Sequence, residues 1–124
     1  MKTPDRTRAK RVGQALREEV ALMLSGRVND PDAAGAVVTR VEMNDDLRSA
    51  CVFVRLFEGG EDPGRRGSLL AALRRAGGLI RRETTRRLRL RYAPDIVFAY
   101  DGGVDHMSQI ERVLAEIESE RKPR

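Results

Sequence analysis

Residues Leu69–Tyr100 read LLAALRRAGGLIRRETTRRLRLRYAPDIVFAY, and the way this stretch folds decides the rest of the chain. Leu69, Leu73, Ala76 and Ile80 follow the i, i+4, i+7, i+11 spacing of one helical face. Ala76-Gly77-Gly78 interrupts that face. Two glycines inside a straight helix would cost roughly 1 kcal/mol each relative to alanine, so the spacing predicts a kink between two helices. Two readings of the break stand side by side. It is a tight helix-to-helix turn with no ligand role, or glycine takes backbone angles closed to other residues and lets a partner approach. With so few residues to turn the chain, Gly78 is expected to need a positive φ or a close backbone approach. A turn at Pro94 and a short strand follow, with Ile96, Phe98 and Tyr100 expected on the core side and Ile96 and Phe98 expected to be buried in the central sheet.

Charge singles out the same stretch. Arg65 to Arg91 holds ten arginines and one acid, Glu83, a segment charge of +9; the chain as a whole carries +5, which leaves −4 for everything else. At about 100° per residue, Ile80, Thr84 and Leu88 share the inward face of the second helix. Arg82 and Arg86 then fall opposite, Arg81 and Arg87 on the flanks, and Arg75 opposite Leu73 on the helix before. Arg89 and Arg91 continue the basic run into the connector, and Arg74 precedes it. Guanidinium forks suit phosphate and base contacts better than a diffuse cloud of lysines. A solvated helix face is the usual fate of a charge run, but such faces mix signs, and like charges this dense repel unless a polyanion is present. Arg74, Arg75, Arg81, Arg82, Arg86, Arg87, Arg89 and Arg91 are therefore read as a nucleic-acid surface.

The flanking sequence supplies a small sheet and two further helices. Val12, Ala15, Leu16, Val20, Met23 and Leu24 make a helical stripe over Arg6–Ser25, with Gly26 as a stop. Ala36–Met43 alternates, with Val37, Thr39, Val41 and Met43 on one side and Val38, Arg40 and Glu42 on the other. The turn cluster Asn44-Asp45-Asp46 and a second strand, Ser49–Phe57, complete a hairpin. Ala50, Val52, Val54 and Leu56 are assigned to the core, and Cys51, Phe53, Arg55 and Phe57 to the other face, because Arg55 would otherwise be an unpaired buried charge. The helix before the kink starts with Asp62 as N-cap and Pro63 at its first position, or later with Ser68 as cap; Gly64 and Gly67 favour the later start. A last helix is expected over Asp105–Glu118, with Ile110, Val113, Leu114 and Ile117 as its stripe. Residues 1–118 form one domain with 1–5 frayed, and 119–124 are a polar, disordered tail. The order α-β-β-α-kink-α-β-α, a three-stranded sheet packed on helices, is an α+β fold.

Catalysis finds little support. The one histidine, His106, stands beside Asp105 without a nucleophile or orienting partner marked in sequence, and reads as a surface residue near a helix start. One histidine and one cysteine do not make a zinc site. Gly59-Gly60 and Gly102-Gly103 lack the spacing of phosphate loops and read as turns. No enzyme activity, metal or cofactor is expected. The single Cys51 lies in an apolar run, and the N-terminus has no secretory apolar segment. No stretch approaches the roughly 20 apolar residues of a membrane span. The expected setting is the cytoplasm, without a membrane.

The order of motifs resembles the ribosome-binding factor A family almost from end to end. The matching residues are Arg8-x-x-Arg11-Val12, Val28-x-Asp30-Pro31, Val41-Glu42, Asp46-Leu47-Arg48-x-Ala50, Ala76-Gly77-Gly78-x-Ile80-Arg81-x-Glu83, and Arg87-Leu88-Arg89-Leu90-Arg91-x-x-Pro94 leading into Phe98-x-Tyr100-Asp101. The resemblance implies a K-homology fold of the second type, in which an Ala-x-Gly kink stands where RNA-binding relatives carry a GxxG loop that clamps nucleotide backbone. It adds Ala76, Gly77 and Gly78 to the expected RNA-binding residues. It also implies binding to free, immature small ribosomal subunits through their ribosomal RNA, support for processing of that RNA's precursor without cleavage by the factor itself, and release by a dedicated GTPase. A monomer is expected. Thr84-Thr85 and Met107 depart from the family pattern, at the second helix and near the last.

Two other readings compete. A small interaction protein could dock its basic face on an acidic protein surface. A general single-stranded RNA binder needs exposed aromatic platforms, for which Phe53, Phe57 and Tyr92 are the candidates.

Overall fold

The structure is a computed structural model that describes residues 4–102 together with 114, 115, 117 and 118. Helix α1 spans Pro4–Gly26 and a 3-10 turn spans Pro31–Ala33. Strands β1 (Ala36–Met43) and β2 (Ser49–Leu56) follow, then α2 (Pro63–Arg75), α3 (Gly77–Arg87) and β3 (Asp95–Tyr100). The expected order is present as far as β3, and α1 starts at Pro4, slightly before the predicted Arg6. The expected start of the last helix, with His106 and Met107, lies outside the described residues; Leu114 and Ile117 within it have helical backbone.

The sheet order is β1-β2-β3, with β1 antiparallel and β3 parallel to the central β2. A parallel neighbour needs a long crossover, and α2 with α3 is that crossover. Leu16, Val20 and Met23 of α1, Leu69, Ala72 and Leu73 of α2 and Ile80 of α3 form one core with Val38, Ala50, Val52, Val54 and Leu56 of the sheet.

Four expectations on face and boundary are corrected. In β1 the register slips between Val38 and Arg40, so Thr39 is an extra, bulged residue. The bulge changes the parity of the strand. Ala36 and Val38 before it and Val41 and Met43 after it all pack on the core, whereas strict alternation groups Val41 and Met43 with Val37 and Thr39. The freed Thr39 hydroxyl lies 2.6 Å from an Asp101 carboxylate oxygen and 3.2 Å from the Phe53 carbonyl.

In β2, Cys51 and Phe53 are as buried as the residues facing the helices. They form a second cluster with Ala99, covered by Val97 and Leu114, because a central strand is covered on both sides. Burial pushes the Cys51 thiol up to about 12, which leaves it inert. Arg55 and Phe57 are exposed, as expected.

Strand β3 is an edge. Ile96, Phe98 and Tyr100 do pack on the main core, but they are half-buried, not enclosed. Finally, α2 begins at Pro63 and not at Ser68. The Asp62 carboxylate accepts the Gly64 N–H at 2.9 Å, and this cap plus the preset φ of Pro63 outweighs the helix cost of Gly64 and Gly67.

Candidate nucleic-acid interface

The α2–α3 junction is made by a single residue. Ala76, at φ −85° and ψ −1°, is both the last cap of α2 and the entry to α3. Its N–H donates to the Ala72 carbonyl at 3.1 Å, and its own carbonyl accepts the Ile80 N–H at 3.0 Å. The chain therefore changes direction without leaving right-handed backbone. This corrects the expectation for Gly78: neither Gly77 nor Gly78 has a positive φ, and a Cβ added to either meets no atom of another described residue within 4 Å. Nothing among the described residues requires glycine at these positions. Gly78 faces solvent at the start of α3, a helix whose N-terminus no side chain caps.

Helix α3 lies as its periodicity demands. Ile80 and Thr84 are fully buried and Leu88 packs on the core. Thr84, one of the departures from the family pattern, is accommodated because its hydroxyl donates back to the Ile80 carbonyl at 2.7 Å. Arg82 and Arg86 stand on the exposed side.

The C-terminus of α3 is closed by a Schellman motif. Arg89 N–H donates to the Arg86 carbonyl at 3.2 Å and Leu90 N–H to the Thr85 carbonyl at 3.0 Å. The left-handed position of that motif, usually glycine, is Arg89, at φ 55°. This turn throws Arg89 and Leu90 back toward α3. Gly78, Arg81, Arg82, Thr85, Arg86, Arg89, Leu90 and Ala93 together line an open depression of about 550 Å³.

The predicted arginines do not all belong to it. Arg75 turns away to the 3-10 turn, where it binds Asp30 at 2.7 Å and lies 3.6 Å from Asp32. Arg87 crosses to α1 and binds Glu19 at 2.7 Å. Arg81 lines the depression yet is a brace, with its guanidinium on the Ala93 and Pro94 carbonyls at 2.9 Å each and 3.4 Å from Asp95. Arg86 binds Glu83 at 2.6 Å, and this hydrogen bond, with the nearby Arg27 and Arg82 charges, holds the Glu83 carboxyl below its ordinary range. Arg91 lies over the Tyr92 ring. Arg74, Arg82 and Arg89 make no hydrogen bond or ion pair with other described residues. Arg74 sits at the end of α2 outside the depression.

Sequence reasoning missed Arg48 on the β1–β2 turn, whose guanidinium stands over Tyr92. Its signal is the motif Asp46-Leu47-Arg48, but only the fold brings that turn beside the connector after α3. Of the three aromatic candidates, Phe53 is buried under Arg40, whose guanidinium carbon is 5.2 Å from the ring centroid, while Phe57 and Tyr92 are exposed. Among the described residues no group of acids, histidines and cysteines could hold a metal ion, and no helix is long and apolar enough to cross a membrane.

An α+β domain whose two crossover helices meet at an Ala-Gly-Gly junction, with an arginine-lined hollow beside it, is a K-homology-like fold. Solved ribosome-binding factor A structures share it. A crystal structure of the Thermus thermophilus protein superposes with a TM-score of 0.66 at 23% identity, over 78% of this chain and 99% of that one. The solution structure of a Thermotoga maritima protein, described as a putative ribosome binding factor A, does so with a TM-score of 0.57 at 27% identity, over 80% and 88%. The sequence profile of ribosome-binding factor A matches residues 8–114. The chain belongs to the ribosome-binding factor A family. It is 40% identical to ribosome-binding factor A of Brevibacillus brevis over 94% of this chain and 93% of that protein. It is 44% identical to that of Sorangium cellulosum, over 89% and 88%. A homology model of the Thermus thermophilus ribosome binding factor A, fitted into the map of a complex with the 30S subunit, matches with a TM-score of 0.59 at 25% identity, over 74% of this chain and 94% of that one.

Proposed function

We propose that this protein is an RNA-binding assembly factor that associates with free, immature small ribosomal subunits and supports late maturation and processing of their ribosomal RNA, without itself catalysing a reaction. The observation that carries the reading is the depression beside Gly78, where Arg82 and Arg89 project without a hydrogen bond or ion pair to other described residues. Unpaired guanidiniums beside an uncapped helix N-terminus suit phosphate oxygens. The family relatives, and the fitted complex of one of them with the 30S subunit, support the choice of RNA over an acidic protein.

Arg82, Arg86 and Arg89 make the phosphate contacts in this reading, with Gly77 and Gly78 keeping the α3 entrance open to the RNA backbone. Arg75, Arg81 and Arg87 hold the surface in place. The protein acts in the cytoplasm as a monomer, and a ribosome-assembly GTPase releases it when the subunit is mature. Sedimentation of cell extract through a sucrose gradient tests this. The protein is expected with free small subunits, and its appearance mainly with translating ribosomes, or at the top of the gradient at low salt, would overturn the reading.

A further inference from the structure

We propose that Arg48, Tyr92 and Arg91 form a seat for one unpaired nucleobase of the bound RNA, an inference that rests on the RNA-binding reading above and extends it. Tyr92 is 57% exposed. Two guanidiniums stand over its ring, with Arg48 at 5.1 Å and Arg91 at 5.7 Å from the centroid. Tyr92 and Arg91 line a recess of about 220 Å³ with Arg8, Asp46, Leu47 and Leu90, and Arg48 covers the Tyr92 ring beside it. Leu90 lines this recess and also the arginine depression of α3, so the two are neighbours.

The seat is built before any ligand arrives. The β1–β2 turn is fixed by Leu47 at φ 63°, by its N–H on the Asn44 carbonyl at 2.9 Å and by the Asp46 carboxylate accepting the Arg48 N–H at 3.0 Å. The Arg48 carbonyl in turn accepts the Asp95 N–H at 2.9 Å, which ties the turn to the start of β3.

The chemistry selects a base over another phosphate. Bases stack on aromatic rings and on guanidinium planes alike, and Leu47 and Leu90 add apolar walls. Asp46 at the rim can accept from the amino or imino hydrogens of a base edge, while Arg8 and Arg91 leave the lining net positive, so it is the stacking planes and apolar walls that favour a base. The recess has room for one flat ring system, and its place beside the depression puts that ring on a strand whose phosphates lie along α3.

The chain has no tryptophan, so Tyr92→Trp installs a single indole whose emission a stacked base quenches. The probes are a short single-stranded RNA and an inorganic polyphosphate of matched charge. Quenching by the RNA and not by polyphosphate is expected. Tyr92→Ala should weaken RNA binding roughly five- to hundred-fold, the usual effect of losing one stacked base, with an unchanged salt slope because no phosphate contact is lost. Tyr92→Phe should bind like the parent. Parent-like binding by Tyr92→Ala, equal quenching by polyphosphate, or a Tyr92→Ala loss that also flattens the salt slope would each overturn the seat. Should Tyr92→Ala fail to fold, the Trp and Phe variants still decide. In all these cases the double variant Arg82→Ala, Arg89→Gly separates the two ideas: if it loses RNA binding the RNA reading stands without the seat, and if it binds fully that reading fails as well.

Discussion

Arg89 occupies backbone that favours glycine, at φ 55°. A side chain there costs about 1 kcal/mol, and the described structure gives the guanidinium no compensating partner. Strain retained without an internal return points to use by a ligand. Arg89→Gly is thus expected to raise stability by about 0.5–1 kcal/mol in denaturant melts while weakening RNA binding. A variant that gains stability and binds like the parent would remove Arg89 from the interface. Gly78 is the mirror case. Since a Cβ there meets nothing among the described residues within 4 Å, Gly78→Val should change stability by less than about 1 kcal/mol, within helix-propensity differences, yet reduce binding by crowding the lip of the depression. A large drop in melting temperature would mean the junction needs glycine for its own folding.

At the scale of elements, the central position of β2 sets the energetics. Phe53→Ala empties a fully buried site and should cost about 3–5 kcal/mol. Phe98, half-buried on the edge strand β3, should cost roughly 1–3 kcal/mol. The reverse order would say that the register of the sheet is wrong. A second element-level tie links α2 to the 3-10 turn through Asp30 and Arg75. The hydrogen bond from Arg75, then that from the Asp32 backbone, holds the Asp30 carboxyl below its ordinary value of 3.8. A carboxyl lowered on folding stabilises fully above its unfolded pKa and stops doing so as pH falls through its folded value. The tie should loosen only below about pH 4, and Arg75→Ala should remove that acid-side step without changing RNA affinity. A loss of affinity in Arg75→Ala would return Arg75 to the interface.

For the whole molecule, what can be read in the sequence is what is local. Helical stripes, the hairpin turn, the Ala-Gly-Gly junction and the concentration of arginine all show in short windows, and among the described residues, which end short of most of the last helix, they are present. The β1 faces escape such a reading because one bulged residue, Thr39, inverts parity without leaving any mark in composition. Alternation places Phe53 and Cys51 outside because it shows one buried face and gives no sign that Leu114, far along the chain, covers the other. The arginine surface is overcounted for a similar reason. Arg75 and Arg87 find acids 45 and 68 residues away, and such pairings are set by the fold. Once these and the Arg81 brace are subtracted, and Arg74 and Arg91 are set aside because they do not line the depression, the interface narrows to Arg82, Arg86 and Arg89 around Gly78.

The central claim is that this narrowed set grips RNA phosphates on the immature small subunit. Co-sedimentation with purified free small subunits, across a series of salt concentrations, measures it for the parent and for Arg82→Ala, Arg89→Gly. Two lost phosphate contacts should weaken binding and flatten the plot of log affinity against log salt by about two units. Unchanged affinity with an unchanged slope would contradict the account.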